Sequence, residues 1–505
     1  MRVLVPAETL VYLETNDLAA ALQPIVDSKP FTEVAKSKPD FSALKGVQLA
    51  VAVTGFETSE EKLTDEHSVG RVQPHFVAVA ETHAWNYQAV GFAEKKLGAF
   101  VAGIYDSEPT LEKTDKNGGK YFTWTAKDGR KAYALVTGSL IYFGNDESAI
   151  EKCLAVKRGE SDSIAKTGKI PLSDPKALAS GYVSTDGVAQ IANIVGLKFA
   201  SETGEDSEVQ SGIAGILPQL LRSSITEISW TATKTDEGIE DKYKIAMPPD
   251  VANVFNETMA PGDKLDPYII AQLPDSVSSV TVYNLKNPPV AWRSLILTAQ
   301  EHTNPLAGKI VAEFSAAFFE PYGIRDPQLF LSLIDKAPAG RTILSAKLTP
   351  ESEPIIIVTG SFPHKFLKSL TPELKPPPQI IEGNTNIWST PDGEMQARFD
   401  LGSVLIGSKA NLAACSQLVA REIEDVKSKT LHKVALTKAT IATAGEDNET
   451  VGQIAEMVSE KKPNGAKATS NYFTETRFTK SGMERRTVSD FGLIGSIIAQ
   501  LGAEQ

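Results

Sequence analysis

The residues best able to do chemistry are few and widely spaced. The chain has six histidines and two cysteines in 505 residues. His67, His75 and His83 recur at equal intervals, which invites a metal-site reading. Geometry argues against it. If Phe76–Ala80 is a strand, His75 and His83 stand about 26 Å apart at ~3.3 Å per residue, whereas zinc ligands each sit ~2 Å from one ion. The three read as surface or strand-end histidines, and neither metal nor cofactor is expected. Cys153 shares a helical face with Ile150 and Leu154, and Cys415 shares one with Leu412 and Val419. A thiol in that setting behaves as a small buried hydrophobe rather than a nucleophile; a bond between the two is the other reading. The sequence contains no G-x-S-x-G, no H-E-x-x-H and no glycine-rich nucleotide loop.

Other residues suit recognition better than catalysis. Trp124 and Trp388 head two similar segments and read either as binding platforms or as core anchors. His83 and His364 each follow a strand at corresponding places, as a shared functional pair or as turn contacts. Arg485 and Arg486 could bind an acidic partner or simply mark an exposed strand edge. Asp128 and Asp392 each precede a glycine, so turn chemistry accounts for them. The acidic residues Asp236, Glu237, Glu240 and Asp241 read as a solvated hairpin end.

Positioning these residues requires an architecture, and an internal repeat supplies one. Trp124-Thr125-Ala126-Lys127-Asp128-Gly129 matches Trp388-Ser389-Thr390-Pro391-Asp392-Gly393. The match continues in order through Gly138–Gly144 and Gly402–Gly407, each followed by a cysteine-bearing helix. Val5-Pro6-Ala7-Glu8 before one strand corresponds to Leu273-Pro274-Asp275-Ser276 before another, and Thr235–Glu240 to Thr479–Glu484. Two similar halves, 1–262 and 263–505, follow, joined near Ala260-Pro261-Gly262-Asp263. Neighbouring hairpins with helices between them indicate an α+β fold, each half a mainly antiparallel sheet with packed helices. Strands are expected at Leu10–Thr15, Val47–Thr54 and Phe76–Ala80, a helix at Tyr87–Leu97, and hairpins at 121–137, 227–246, 386–399 and 471–489. Pro24 and Pro30 should break the helical region that starts at Leu18.

Composition narrows the function. Hydrophobic residues make up 42% and charged residues 23%, an ordinary globular balance. A net charge of −12 argues against nucleic acid and against broad adhesion to anionic lipid. No run of ~18 apolar residues is present to form a membrane span. Ile213–Leu217 and Phe491–Ile498 are apolar nearly all round, so they are buried or lie against something greasy.

The opening Val5-Pro6-Ala7-Glu8-Thr9-Leu10-Val11-Tyr12-Leu13-Glu14, with Asn16-Asp17-Leu18 after it, resembles the bacterial, membrane-anchored DUF family three-three-five-two. The ending Gly482-Met483-Glu484-Arg485-Arg486-Thr487-Val488-Ser489-Asp490-Phe491-Gly492 is similar to its acidobacterial members. The resemblance implies a periplasmic or extracytoplasmic protein whose membrane contact runs through an N-terminal anchor preceding Met1. It assigns no activity and no catalytic residue. The resulting expectation is a non-enzymatic binding or scaffold protein, an accessory part of a cell-envelope assembly, with an unidentified protein partner. Two alternatives stand beside it: a carrier of an apolar, lipid-like ligand in a cavity beneath or between the sheets, and a hydrolase with a dispersed site at His83 or His364.

Overall fold

Two tight turns set the middle of the fold. In Thr235–Gly238 and in Thr479–Gly482 the threonine hydroxyl donates to the glycine carbonyl, at 3.0 and 3.1 Å. The glycines adopt φ of 128° and 133°, a region that disfavours any Cβ. One turn closes the hairpin of β9 (Glu227–Thr235) and β10 (Gly238–Ala246), the other that of β18 (Ser470–Thr479) and β19 (Gly482–Ser489). β10 and β19 then pair antiparallel, with Tyr243 opposite Arg485. The computed structural model describes residues 1–35, 37–62, 68–105, 108–170, 176–202, 219–262, 265, 267–302, 324, 327–334, 342–359, 386–389, 393–400, 403–416, 421–447, 450–458 and 468–503.

The remaining strands extend outward from this seam. They are β1 (Val11–Thr15), β2 (Gln48–Lys62), β3 (Ser68–Glu81), β4 (Thr110–Lys116), β5 (Gly119–Thr125), β6 (Lys131–Thr137), β7 (Leu140–Gly144) and β8 (Ala177–Val183). Beyond the midpoint come β11 (Ser279–Asn284), β12 (Thr342–Lys347), β13 (Ile355–Thr359), β14 (Asn386–Ser389), β15 (Met395–Asp400), β16 (Ser403–Ser408) and β17 (Ile441–Asp447). From β10 the pairing runs through β9, β8, β1, β2, β3, β7, β6 and β5 to β4. From β19 it runs through β18, β17, β11, β12, β13, β16 and β15 to β14. All 19 strands form one sheet, and every pairing is antiparallel.

Strand alternation gives the sheet a front and a back face, and both carry core. Phe122, Trp124, Ile141 and Phe143 lie at the front beneath the helices Asn86–Phe92 and Gly98–Ile104. Tyr12, Ala50, Val77 and Tyr142 lie at the back beneath the helix Glu147–Arg158. On the other side of the seam, Ile356, Trp388, Phe399 and Ile406 face front with Phe330 and Leu331. Val280, Leu344, Ile357 and Leu405 face back against Leu412, Cys415, Leu431 and Val434.

The helices that follow the two central hairpins cross the seam. Pro249–Thr258 follows β10, yet packs Val251, Phe255 and Met259 with Ala291 and Phe478. Gly492–Ala503 follows β19, yet joins a cluster with Ile25, Phe31, Trp230 and Ile239.

Several local expectations need correction. Pro24 lies inside the helix Leu18–Asp27 without ending it. The carbonyl it leaves unbonded belongs to Ala20, in the exposed first turn, where water can bond it. The break comes at Ser28, which caps the next helix, Lys29–Val34, and Pro30 occupies that helix's first turn. The helix expected to end at Leu97 continues to Ile104 through a π-helical segment, Ala93–Leu97. β2 and β3 extend to Lys62 and from Ser68, and β4 had no counterpart in the reading.

Candidate binding cleft

At the seam the front face changes from apolar to polar. On β10 the residues Ile239, Asp241, Tyr243 and Ile245 point forward; on β19 Arg485, Thr487 and Ser489 do so. Asp241 is 1% exposed. Its Oδ1 accepts the Trp230 indole N–H at 2.8 Å, and its Oδ2 accepts the backbone N–H of Leu493 at 2.9 Å. Burial pushes its carboxyl up to about 6, against the pull of those two hydrogen bonds. Asp241 thereby fixes the start of the helix Gly492–Ala503 over the sheet.

Hydroxyls line the rest of the floor. Thr474 and Thr487 share a hydrogen bond at 2.9 Å, and Thr281 and Thr443 share one at 3.0 Å. The Tyr472 ring lies over Gly445, where a Cβ would come 2.6 Å from the phenolic oxygen. Burial raises the Tyr243 and Tyr472 hydroxyls above the usual phenol range, and the Arg485 charge opposes the rise in both. Asp241, Tyr243, Thr443, Asp447, Tyr472, Thr474, Arg485 and Thr487, with Val183, Ile228, Phe491 and Leu493, line an open-mouthed cavity of about 730 Å³. That is the size of a small-molecule site.

A second hollow of about 230 Å³ lies on the same face, lined by Met259, Tyr283, Trp292, Leu331, Ile343 and Ile356 among others. Ile441 lines this hollow, and Thr443, two residues on along the same face of β17, lines the first. One is almost wholly apolar; the other mixes hydroxyls, two carboxyls, Asp241 and Asp447, and one guanidinium.

The two arginines have different partners. Arg486 points to the back face, where its Nε bonds Glu240 and its Nη1 lies 3.6 Å from Glu475. Lys242 completes that network, 2.6 Å from Glu240. Burial tends to raise the Glu240 carboxyl, but the bonds from Lys242 and Arg486 hold it below its ordinary range. Arg485 is exposed at the mouth of the front cavity, and among the described residues no carboxylate forms an ion pair with it.

The residues singled out by sequence fall in scattered places. Trp124 is 1% exposed, stacked on Phe122 at 5.7 Å between ring centroids. Trp388 is 7% exposed and packs edge-on against Phe399 at 5.1 Å. Both are core side chains in opposite wings of the sheet. His83 sits at φ 53° with an exposed ring, 3.8 Å from Glu81. His67, His364 and Asp392 lie outside the described residues. Asp128 accepts the backbone N–H and the Nε of Arg130, a turn contact. Cys153 and Cys415 are both free and buried in separate clusters, and burial pushes their thiols up to about 12 and about 11.

Two expectations are overturned. Glu240 and Asp241 are 8% and 1% exposed rather than solvated, because β19 and the closing helix cover them. Arg485 and Arg486 do not mark a sheet edge, since β19 pairs on both sides. Tyr243, Tyr472 and the threonine row escaped sequence reasoning; the only local signal was the alternation of Thr474 and Thr476 in a strand otherwise read for its turn.

His75 lies between two carboxylates. His75 Nδ1 lies 3.3 Å from Asp146. The nearby Ser148 hydroxyl donates to that same carboxylate, and His75 Nε2 faces Glu57 at 3.4 Å. A hydroxyl nucleophile needs the opposite order, with the imidazole between hydroxyl and carboxylate. No family model, curated protein or solved structure matches the chain.

Proposed function

We propose that this chain is a non-enzymatic, extracytoplasmic binding protein that holds a small molecule at the seam of two similar halves, 1–262 and 263–505. The observation that carries the reading is the seam cavity of about 730 Å³, with Arg485 at its mouth and no carboxylate paired with it among the described residues. A cation, several hydroxyls and apolar walls converging on one hollow form the usual composition of a ligand site. The Asp241 carboxylate has both oxygens engaged by N–H donors, which suits anchoring better than proton transfer.

A duplicated origin is supported by the strand order. The run β10, β9, β8, β1, β2, β3, β7, β6, β5 has the same chain-order permutation as β19, β18, β17, β11, β12, β13, β16, β15, β14. Gly238 and Gly482 occupy equivalent turns, each against the other hairpin's last strand. Ligand sites occur preferentially where two structural units meet, as at this seam. The extracytoplasmic placement, and membership of the DUF family three-three-five-two, rest on the resemblance of the two ends of the chain. The scaffold form of the reading draws on Trp85 and Tyr87, which are 74% and 73% exposed beside a helix start.

A native mass spectrum of the protein purified from its own source tests the proposal. A non-covalent mass excess that disappears on denaturation is the expected result. A bare mass in repeated preparations overturns the small-molecule reading. Turnover of a substrate abolished by one point substitution overturns the non-enzymatic one.

A further inference from the structure

We infer that the ligand is an anionic amphiphile, its carboxylate or phosphate head at Arg485 and its apolar chain in the hollow beside Trp292. The inference rests on the binding reading above and names the ligand class. Arg485, Thr476, Ile441, Tyr283 and Ile343 stand directly opposite one another on successive strands β19, β18, β17, β11 and β12. Directly opposed residues share a face. The row therefore runs from the cation to the floor of the apolar hollow. Its ends are four strand spacings apart, about 19 Å at ~4.8 Å each.

The chemistry changes along that row in one direction. At the seam stand the guanidinium and the Tyr243 and Tyr472 hydroxyls, and Tyr243 lies directly opposite Arg485. The two carboxylates of the same cavity already hold donors, Asp241 from Trp230 and Leu493 and Asp447 from the Thr450 backbone N–H and hydroxyl, which leaves the guanidinium as the group for an anionic head. Guanidinium offers two parallel N–H donors that fit a carboxylate or a phosphate oxygen pair, and phenol hydroxyls can donate beside them. At the far end stand Trp292, Leu331, Ile343 and Ile356, with the Tyr283 and Ser345 hydroxyls as polar exceptions. A purely apolar ligand would leave the cation unused. A purely polar one would leave the hollow empty. An amphiphile whose chain spans the row satisfies both ends.

Dodecanoate, dodecyl phosphate and dodecanol are suitable probes, titrated into the full-length protein by calorimetry and followed by tryptophan fluorescence. Both anions should bind, and dodecanol should bind at least about tenfold more weakly, the low end of what a hydrogen bond to a charged group contributes. Arg485→Gln should reduce the affinity for both anions to that for dodecanol and leave dodecanol unchanged. Arg485 is exposed and unpaired among the described residues, so the variant should keep the wild-type melting temperature. Ala291→Phe, which fills the apolar hollow, should weaken all three probes together. Equal binding of dodecanol and dodecanoate overturns the head assignment. So does equal anion binding by wild type and Arg485→Gln. If no probe binds while the native protein carries another molecule, this inference falls and the binding reading stands. If no probe binds and the native protein is bare, both fall.

Discussion

Asp241 and Leu493 are 252 residues apart in sequence and joined by a 2.9 Å hydrogen bond from the Leu493 N–H to the Asp241 carboxylate. The contact ties the middle strand of the chain to its last helix. It also makes stability depend on pH. Folding raises the Asp241 carboxyl from its ordinary 3.8 to about 6, so the folded state holds this proton more tightly than the unfolded chain. The stability from this group is complete below pH ~4 and is lost as pH rises through ~6; a shift of this size is worth about 3 kcal/mol. Urea unfolding of wild type and Asp241→Asn at pH 4, 5, 6 and 7 checks it. The wild type should lose ground to the variant across that range. A constant difference between them removes Asp241 as the titrating group.

A second buried carboxylate titrates with the opposite sign. Glu14 is 6% exposed and accepts the Arg2 Nε at 2.7 Å, the Tyr12 hydroxyl at 2.8 Å and the Ser180 hydroxyl at 3.0 Å. Burial tends to raise its carboxyl, but those donors outweigh burial and hold it below the ordinary range. Its stability is present above the ordinary carboxylate range and is lost as pH falls through the folded value. Arg2→Ala leaves the charge buried without its cation and should cost about 3 kcal/mol, the low end for a broken buried pair, since Arg2 is partly exposed. The loss should shrink towards pH 4, where Glu14 can take up a proton. A loss that does not change between pH 7 and pH 4 would mean the contact is packing alone.

The seam depends on two glycines. A Cβ at Gly238 would stand 2.4 Å from the Ser489 carbonyl oxygen, and one at Gly482 would stand 2.1 Å from that of Ile245. Both residues also have φ in the region that only glycine adopts freely. Gly238→Ala and Gly482→Ala should each destabilise by at least ~1–3 kcal/mol, the cost of a strained backbone position. Because the clash falls on the β10–β19 pair, amide exchange should speed up at Tyr243 and Arg485 before it does at the far wings. Unchanged exchange at the seam would separate the turn strain from the pairing.

What could be read from sequence follows from where each contact comes from. The Asp128–Gly129 turn, the glycine turns at 238 and 482 and the apolar face around Cys153 depend on neighbours within a few residues, and all are present. Leu412 and Cys415 share a buried cluster, and Val419 lies outside the described residues. β8 and β17 were not legible. Ala177–Val183 and Ile441–Asp447 are rich in alanine and glycine and have little of the β-branched alternation that marks a strand. They become strands because chain segments lie on both sides of each, β1 and β9 in one case, β11 and β18 in the other. The cleft was hidden for the same reason. Asp241 is locally an acidic residue near a turn; its burial comes from a helix at the far end of the chain. The positions of Arg485 and Tyr243 acquire meaning only once β10 and β19 pair.

The crossing helices predict how the molecule unfolds. Phe255, from the helix after β10, meets Phe478 of β18 edge-on at 5.9 Å between ring centroids. Phe491, leading into the helix after β19, lies in one cluster with Trp230 and Ile239. Each side of the seam thus completes the cluster nearest it with a helix from the other, so separating β10 from β19 should open both clusters. Urea unfolding followed by tryptophan fluorescence and by far-ultraviolet circular dichroism should give coincident single transitions, despite a length at which separate domain steps are common. Phe255→Ala should cost ~3–5 kcal/mol, as expected for removing a buried ring, and should shift both signals together. Two resolved transitions, with only one displaced by Phe255→Ala, would show that the halves fold as independent units and that the exchanged helices are peripheral to their stability.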